Sequence, residues 1–320
     1  MKIGIINIEP KIFNTAYMQI ARFHRDRGDE VDWWRPITDS QFDHVYCSSL
    51  FDYTDKSEVT KRAICGGTGF DVSSLLSVSI ERSELDYSIY PSCSTSYLWF
   101  SRGCIRNCPW CVVPQKEGYI KPVLPKNLNP KGKYVTVCDN NFFADPLWKT
   151  AVRHLHRIGQ PCDFQGIDIR IITDEQCKAL SKLRHHKQIR FAWDDPRDEE
   201  KVLAGIKRIT KYIKAWRCMC YVLIGFYSIV DGRYIINRKG LDVQGSVKDY
   251  NKAEELDLHR VNTLRGLGID PFVMPYDRSD LYQKAFARWV NRKEIFNKVP
   301  WEDYKYRVQT QEAKGTGWKI

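Results

Sequence analysis

The sequence predicts an α/β protein built mainly on parallel strands, and three observations lead there. From Ser96 onward, short β-branched and aromatic runs alternate with helical stretches six times. Ahead of that series the chain opens on a strand, helix, strand pattern. With 320 residues and 43% hydrophobic content, it can bury one large core or a large and a small one.

The opening reads in order. Residues 2–8 are an apolar run suited to a buried strand, and 13–27 carry a helical period that stops at Gly28-Asp29. Residues 31–34, 44–49 and 62–67 are three further strands, which makes a small parallel sheet. The mixed polarity of 71–95 reads as a linker. The six later strands are expected at 97–101, 134–138, 163–167, 189–193, 219–225 and 271–275. Helical stretches at 147–158, 174–183, 197–213 and 253–267 fall between them, as right-handed crossovers between parallel strands require. Three regions follow: 1–95 (domain and linker), 96–276 (the repeating part) and 277–320 (a helical extension and tail).

Two features stand outside the repeat. Residues 226–251 form a polar interruption in which Asp231-Gly232, between 227–230 and 233–236, signals a hairpin. Its aromatic and basic side chains suit a lid or a substrate-contacting segment. Residues 280–296 are amphipathic, a short helix is expected from Pro300, and the last dozen residues read as disordered.

Composition narrows the class. No run of about 18 apolar residues occurs and the N-terminus lacks a signal-peptide design, so a soluble, cytoplasmic protein is expected. Eleven cysteines without a regular framework then read as metal ligands and core residues rather than disulfides. A net charge of +11 favours a polyanionic partner, although the cations are scattered and equally fit a well-solvated basic surface.

The most specific feature is the spacing C-x3-C-x2-C at Cys104, Cys108 and Cys111, with Trp110 just before the third cysteine. One loop can wrap three thiolates around a single inorganic cluster, whereas an electron-transfer [4Fe–4S] centre normally takes four. Zinc is the alternative ligand, but structural zinc sites pair two separated ligand pairs, and the nearest histidines are His44 and His154. A chance cluster of buried cysteines is the other alternative.

The motif resembles that of the radical S-adenosylmethionine (SAM) enzymes. The resemblance implies a [4Fe–4S] cluster on Cys104, Cys108 and Cys111 whose open iron chelates SAM. One electron then cleaves the sulfonium to a 5′-deoxyadenosyl radical. It also implies a partial (β/α)6 TIM-type barrel over the six-strand region, and an electron donor such as a flavodoxin or ferredoxin. The opening domain is similar to a trimmed form of the Rossmann-like domain found ahead of the barrel in cobalamin-binding and methylthiotransferase-type members. No D-x-H-x-x-G signature is present, so no cobalamin is expected. Cys47, Cys65 and Cys93 imitate a second cysteine set only loosely and read as buried cysteines at strand ends.

Site residues follow from the rule that loops at the carboxyl ends of parallel strands build the site. Trp110 is placed against adenine. At the second strand end Asp139 and Asn141 stand where many members carry Gly-Gly-Glu, and both can accept from the SAM ammonium. At the third end Gln165, Asp168 and Arg170 can reach ribose hydroxyls or the SAM carboxylate, Arg170 through its bidentate fork; the competing reading is an Asp168–Arg170 pair serving only itself. Asp194 falls near the ribose, or serves a helix start. Ile224 and Met274 resemble apolar adenine contacts. Lys116 and Glu117 either touch substrate or form a solvated pair. Cys218 and Cys220 lack further ligands for an auxiliary cluster, and His185-His186 has no assigned role. No residue is assigned to catalysis. A nucleic acid such as tRNA is the first substrate expected. The alternatives are a peptide or small metabolite, or a non-catalytic iron–sulfur protein that binds SAM or nucleic acid.

Overall fold

A computed structural model of the chain describes residues 1–230, 233–236 and 250–305. They divide into two compact units: Met1–Asn107 with Cys111–Asn140 and Arg157–Cys162, and Cys108–Trp110 with Asn141–His156 and the chain from Asp163 on. The first unit thus runs past the boundary expected at residue 95.

The first unit opens with β1 (Lys2–Ile6), α1 (Thr15–Arg25), β2 (Glu30–Trp33), β3 (His44–Ser48) and β4 (Ile64–Gly66). These strands form one parallel sheet in the order β2-β1-β3-β4, with Ile3 opposite Val31 on one side and His44 on the other. β1 is central, and Ile3, Ile5 and Ile6 are buried, which is why it reads as an unbroken apolar run. Asn14 caps α1 by accepting from Ala16 N–H at 3.0 Å, and Tyr17, Met18, Ile20 and Ala21 face the core.

The stretch expected as a linker is part of this core. It contains α2 (Val78–Arg82), and Leu85, Tyr87, Ile89 and Tyr90 pack with α1 and β1. Its apolar residues are interleaved with Ser, Glu and Asp, so no single period announces their burial.

Next come β5 (Thr95–Leu98), β6 (Ser101–Arg102), α3 (Val113–Lys116), β7 (Lys121–Pro122) and β8 (Tyr134–Val137). β5 and β8 are parallel, with Thr95 opposite Tyr134, while β6 and β7 form a two-rung antiparallel pair. Val135 N–H bonds Pro161 O at 2.8 Å, which extends this sheet to β9 (Cys162–Phe164), reached through α4 (Trp148–Ile158).

The second unit continues through α5 (Asp174–Ser181), β10 (Ile189–Ala192), α6 (Glu199–Ile209), β11 (Cys218–Ile224), β12 (Tyr227–Val230), β13 (Arg233–Ile236), α7 (Tyr250–Gly266), β14 (Asp270–Pro275), α8 (Leu281–Asn291) and α9 (Lys293–Phe296). β10, β11 and β14 make a three-stranded parallel sheet in that order. Phe191, Cys220, Val222 and Val273 are fully buried on one face, and Arg190, Met219 and Tyr221 alternate onto the other. α8 is capped by Asp280, which accepts from Gln283 N–H at 2.9 Å.

All six expected strands of the repeat are present, and the protein is α/β with parallel sheets. A closed or continuous barrel wall is not detected among the described residues; two three-stranded sheets stand instead. At the break, Asp163 of β9 meets Arg190 of β10 through a side-chain ion pair rather than a backbone ladder. The hairpin of β12 and β13 forms with Tyr227 opposite Ile236. Its Asp231-Gly232 turn, the rest of the polar interruption at 237–249 and the tail after Lys305 lie outside the described residues. The helix expected at Pro300 begins there, with Tyr304 N–H on Pro300 O at 3.1 Å.

Candidate active site

The cysteine loop leaves β6 and enters α3. Gly103 sits at a φ of 81°, and a Cβ there would lie 2.5 Å from Tyr119 O, so only glycine lets the returning chain pass this close. Cys104 N–H bonds Gly118 O at 3.2 Å across the same neck. Glu117 clamps the loop: it accepts from Arg102 Nε (3.1 Å) and Nη2 (2.8 Å), from Gly103 N–H (2.9 Å) and from Asn140 Nδ2 (2.8 Å). Neither sequence reading of Glu117, substrate contact or solvated pair with Lys116, describes this role. Lys116 instead reaches Ser74 O at 3.5 Å.

Asp139, at the carboxyl end of β8, is buried and grips the chain just before the loop. Its carboxylate accepts from Ser101 N–H (2.6 Å), Ser101 Oγ–H (2.7 Å) and Phe100 N–H (3.1 Å). Burial pushes its pKa up to about 6, against the pull of the Ser101 and Phe100 hydrogen bonds.

Cys104 and Cys108 are half-buried and Cys111 is exposed. Most of the other cysteines are buried, and burial pushes the thiols of Cys162, Cys177, Cys218 and Cys220 upward, which holds them protonated. Arg106 N–H points at Cys104 Sγ from 3.4 Å, the kind of backbone donor that serves a thiolate. Among the described residues, no three His, Cys, Asp or Glu side chains are gathered as a metal site.

In the second unit, Trp110 packs edge-on to Phe226 at 5.3 Å, and Phe226 packs on Tyr276 at 4.9 Å. The Trp110 side chain also hydrogen-bonds Asp194, just past the carboxyl end of β10. Asp194 Oδ1 is buried without a hydrogen bond. Burial pushes the Asp194 pKa up to about 6, with the neighbouring Arg260 cation opposing.

Arg260 of α7 is 2% exposed and fixes these strand ends. Its Nη1 donates to the carbonyls of Trp193 (3.0 Å), Asp194 (3.1 Å) and Leu223 (3.0 Å). Its Nη2 donates to Asp257 at 2.6 Å, and Asp257 also accepts from Tyr282 Oη–H at 2.9 Å. Gly225, at φ 79°, ends β11 where a Cβ would fall 2.1 Å from the Gln283 side chain.

Arg170 is already engaged. Its Nε (2.7 Å) and Nη2 (3.0 Å) hold Asp168, and its Nη1 holds Asp198 at 2.7 Å, so an incoming carboxylate would have to displace one of them. Gln165 is exposed past β9, and Asn141 is buried. Ile224 and Met274 do not share a face: Met274 is opposite Leu223, whose side chain points away from that of Ile224. The structure therefore unites Trp110 with Asp194, closes Asp168 and Arg170 on each other, and ties Asp139 to Ser101. Sequence reasoning missed Arg260 and the aromatic packing of Phe226, and reached Tyr276 only as the end of the sixth strand. The spacing Asp257, Arg260, Val261, Leu264 was the available signal, because it puts two charges on the buried stripe of a helix.

No protein-family model matches the chain, and no curated protein matches it.

Proposed function

We propose that the chain is a radical SAM enzyme whose cluster ligands are Cys104, Cys108 and Cys111. The observation that carries this reading is the cysteine loop itself. It follows the parallel strand β5 by way of the short antiparallel β6, is necked down at Gly103, and carries one exposed and two half-buried thiols where the core cysteines are held protonated. The donor set fits a [4Fe–4S] cluster: three sulfur ligands on one short loop, with a backbone N–H on the first sulfur. Held there, such a cluster would supply a coordination site for SAM and the electron needed to cleave its sulfonium.

The rest falls to this chain's own residues. Glu117 and Asp139 hold the two ends of the loop. Asp194, oriented by Trp110, is placed to accept a ribose hydroxyl, and Trp110, Phe226 and Tyr276 form an aromatic wall that excludes water from the carboxyl ends of β10, β11 and β14. Arg170 reads as a brace for 168–198 in the ligand-free state and takes the SAM carboxylate only by exchange with Asp198. The six-strand alternation supports a partial (β/α)6 barrel as the frame. The net charge of +11 supports a polyanionic substrate, with RNA first, and reduction would come from a flavodoxin or ferredoxin.

Anaerobic reconstitution with iron and sulfide tests the assignment. Wild-type protein is expected to take up about four irons per chain, as a [4Fe–4S] cluster requires. The Cys104→Ala, Cys108→Ala, Cys111→Ala triple variant is expected to take up almost none. Equal loading of the two would remove the cluster from this loop.

A further inference from the structure

We propose that the first unit binds a nucleoside at the carboxyl edge of its four-stranded sheet, independently of the cysteine loop. The order β2-β1-β3-β4 places a topological switch beside β1, where the chain first crosses to β2 and then to β3. Ligands of open parallel sheets bind in the crevice beyond the strand ends at such a point. A cavity of about 300 Å³ lies there, formed by the residues that follow β1 and β2 and by the loop after β3. That volume is at the small end of ligand pockets and suits a nucleoside.

The lining supplies each contact a nucleoside needs. Trp34 offers an aromatic face, and its indole N–H is tied to Asp39 at 2.6 Å, which fixes the ring. Asn7 stands at the wall with its Oδ1 buried and bonded to nothing, an arrangement that is unfavourable until a donor arrives. A turn of that amide presents it to the exocyclic amine and ring nitrogen of adenine, the base edge that Asn pairs with best. Asp55 and Glu58 on the opposite loop can accept from ribose hydroxyls, the part an acidic residue plays in other parallel-sheet nucleotide sites. Two carboxylates against the single cation Arg35 favour an uncharged nucleoside over its phosphate. The loop carrying Asp55 is anchored by Glu9, which accepts from Leu50 N–H (2.9 Å) and Thr54 Oγ1–H (2.7 Å), so the site is built before a ligand enters.

Calorimetric titration of the full-length protein with adenosine, inosine and 2′-deoxyadenosine tests this. Adenosine is expected to bind saturably at one site per chain. Inosine, without the amine, and 2′-deoxyadenosine, without one hydroxyl, should each bind at least about tenfold more weakly, the loss of one good hydrogen bond. Asn7→Leu and the surface change Glu58→Gln should each weaken adenosine by a similar factor while the thermal unfolding of Glu58→Gln matches wild type. Absence of saturable binding overturns the proposal. So does adenosine binding that survives both changes but is lost in Asp194→Ala, which would assign it to the second unit.

Discussion

Replacing Asp194 by Asn should stabilise the protein at neutral pH, although it alters a candidate site residue. The folded state raises this carboxyl from the 3.8 of an unburied aspartate to about 6. Between those values the unfolded chain has released its proton while the folded chain still holds it, so stability falls as pH rises from about 4 to about 6 and then stays level. Two pKa units at about 1.36 kcal/mol each set a ceiling of about 3 kcal/mol for the loss. The raised value already nets the Arg260 attraction against burial, and the amide fits the carboxyl's place imperfectly, so a net gain of about 1–2 kcal/mol is the working expectation. Asn still accepts from Trp110. Urea unfolding followed by tryptophan fluorescence at pH 3, below both values, and at pH 7.5, above both, reads the two limits. The Asn variant should match wild type at the lower pH and exceed it at the higher. An equal offset at both values, or a variant weaker at pH 7.5, would refute the claim that the buried carboxyl titrates near 6.

Three further outcomes follow from the same contacts. Glu117→Ala removes the acceptor shared by Arg102, Gly103 and Asn140, and should cost about 2 kcal/mol after allowance for solvent screening of a half-buried group; it should also lower iron uptake, and unchanged thermal unfolding with full iron would contradict the clamp. Arg260→Ala strands Asp257 and three strand-end carbonyls in the interior and should cost about 3–5 kcal/mol by chemical denaturation, whereas a change below about 1 kcal/mol would show that those groups find other partners. Arg170→Ala should lower stability through Asp168 and Asp198 and weaken SAM only modestly by calorimetry, because its fork is occupied in the folded protein; an abolished SAM affinity with unchanged stability would show that the fork is open to ligand in solution.

Strand positions were legible because each buried strand repeats a simple apolar run: β1, β8 and β11 are read directly from their Ile, Val and Leu content. The cysteine loop was legible because its three cysteines are local in sequence. What stayed hidden is long-range. The burial of Leu85, Tyr87, Ile89 and Tyr90 depends on α1, which is some 65 residues earlier in the chain and gives no local period. The division of the six strands into two sheets rests on how β9 and β10 meet, where an Asp163–Arg190 ion pair substitutes for a ladder. The clamp at Glu117 joins residues 14 to 23 apart, and the Arg260 contacts span up to 67, distances over which sequence pattern says nothing of geometry.

The most direct measurement is the yield of 5′-deoxyadenosine from SAM after anaerobic reconstitution and reduction with dithionite. The account predicts that wild-type protein forms it and that Cys108→Ala, folded by circular dichroism but lacking its iron, forms none. A wild-type protein that takes up iron on Cys104, Cys108 and Cys111 yet leaves SAM intact would contradict the central claim.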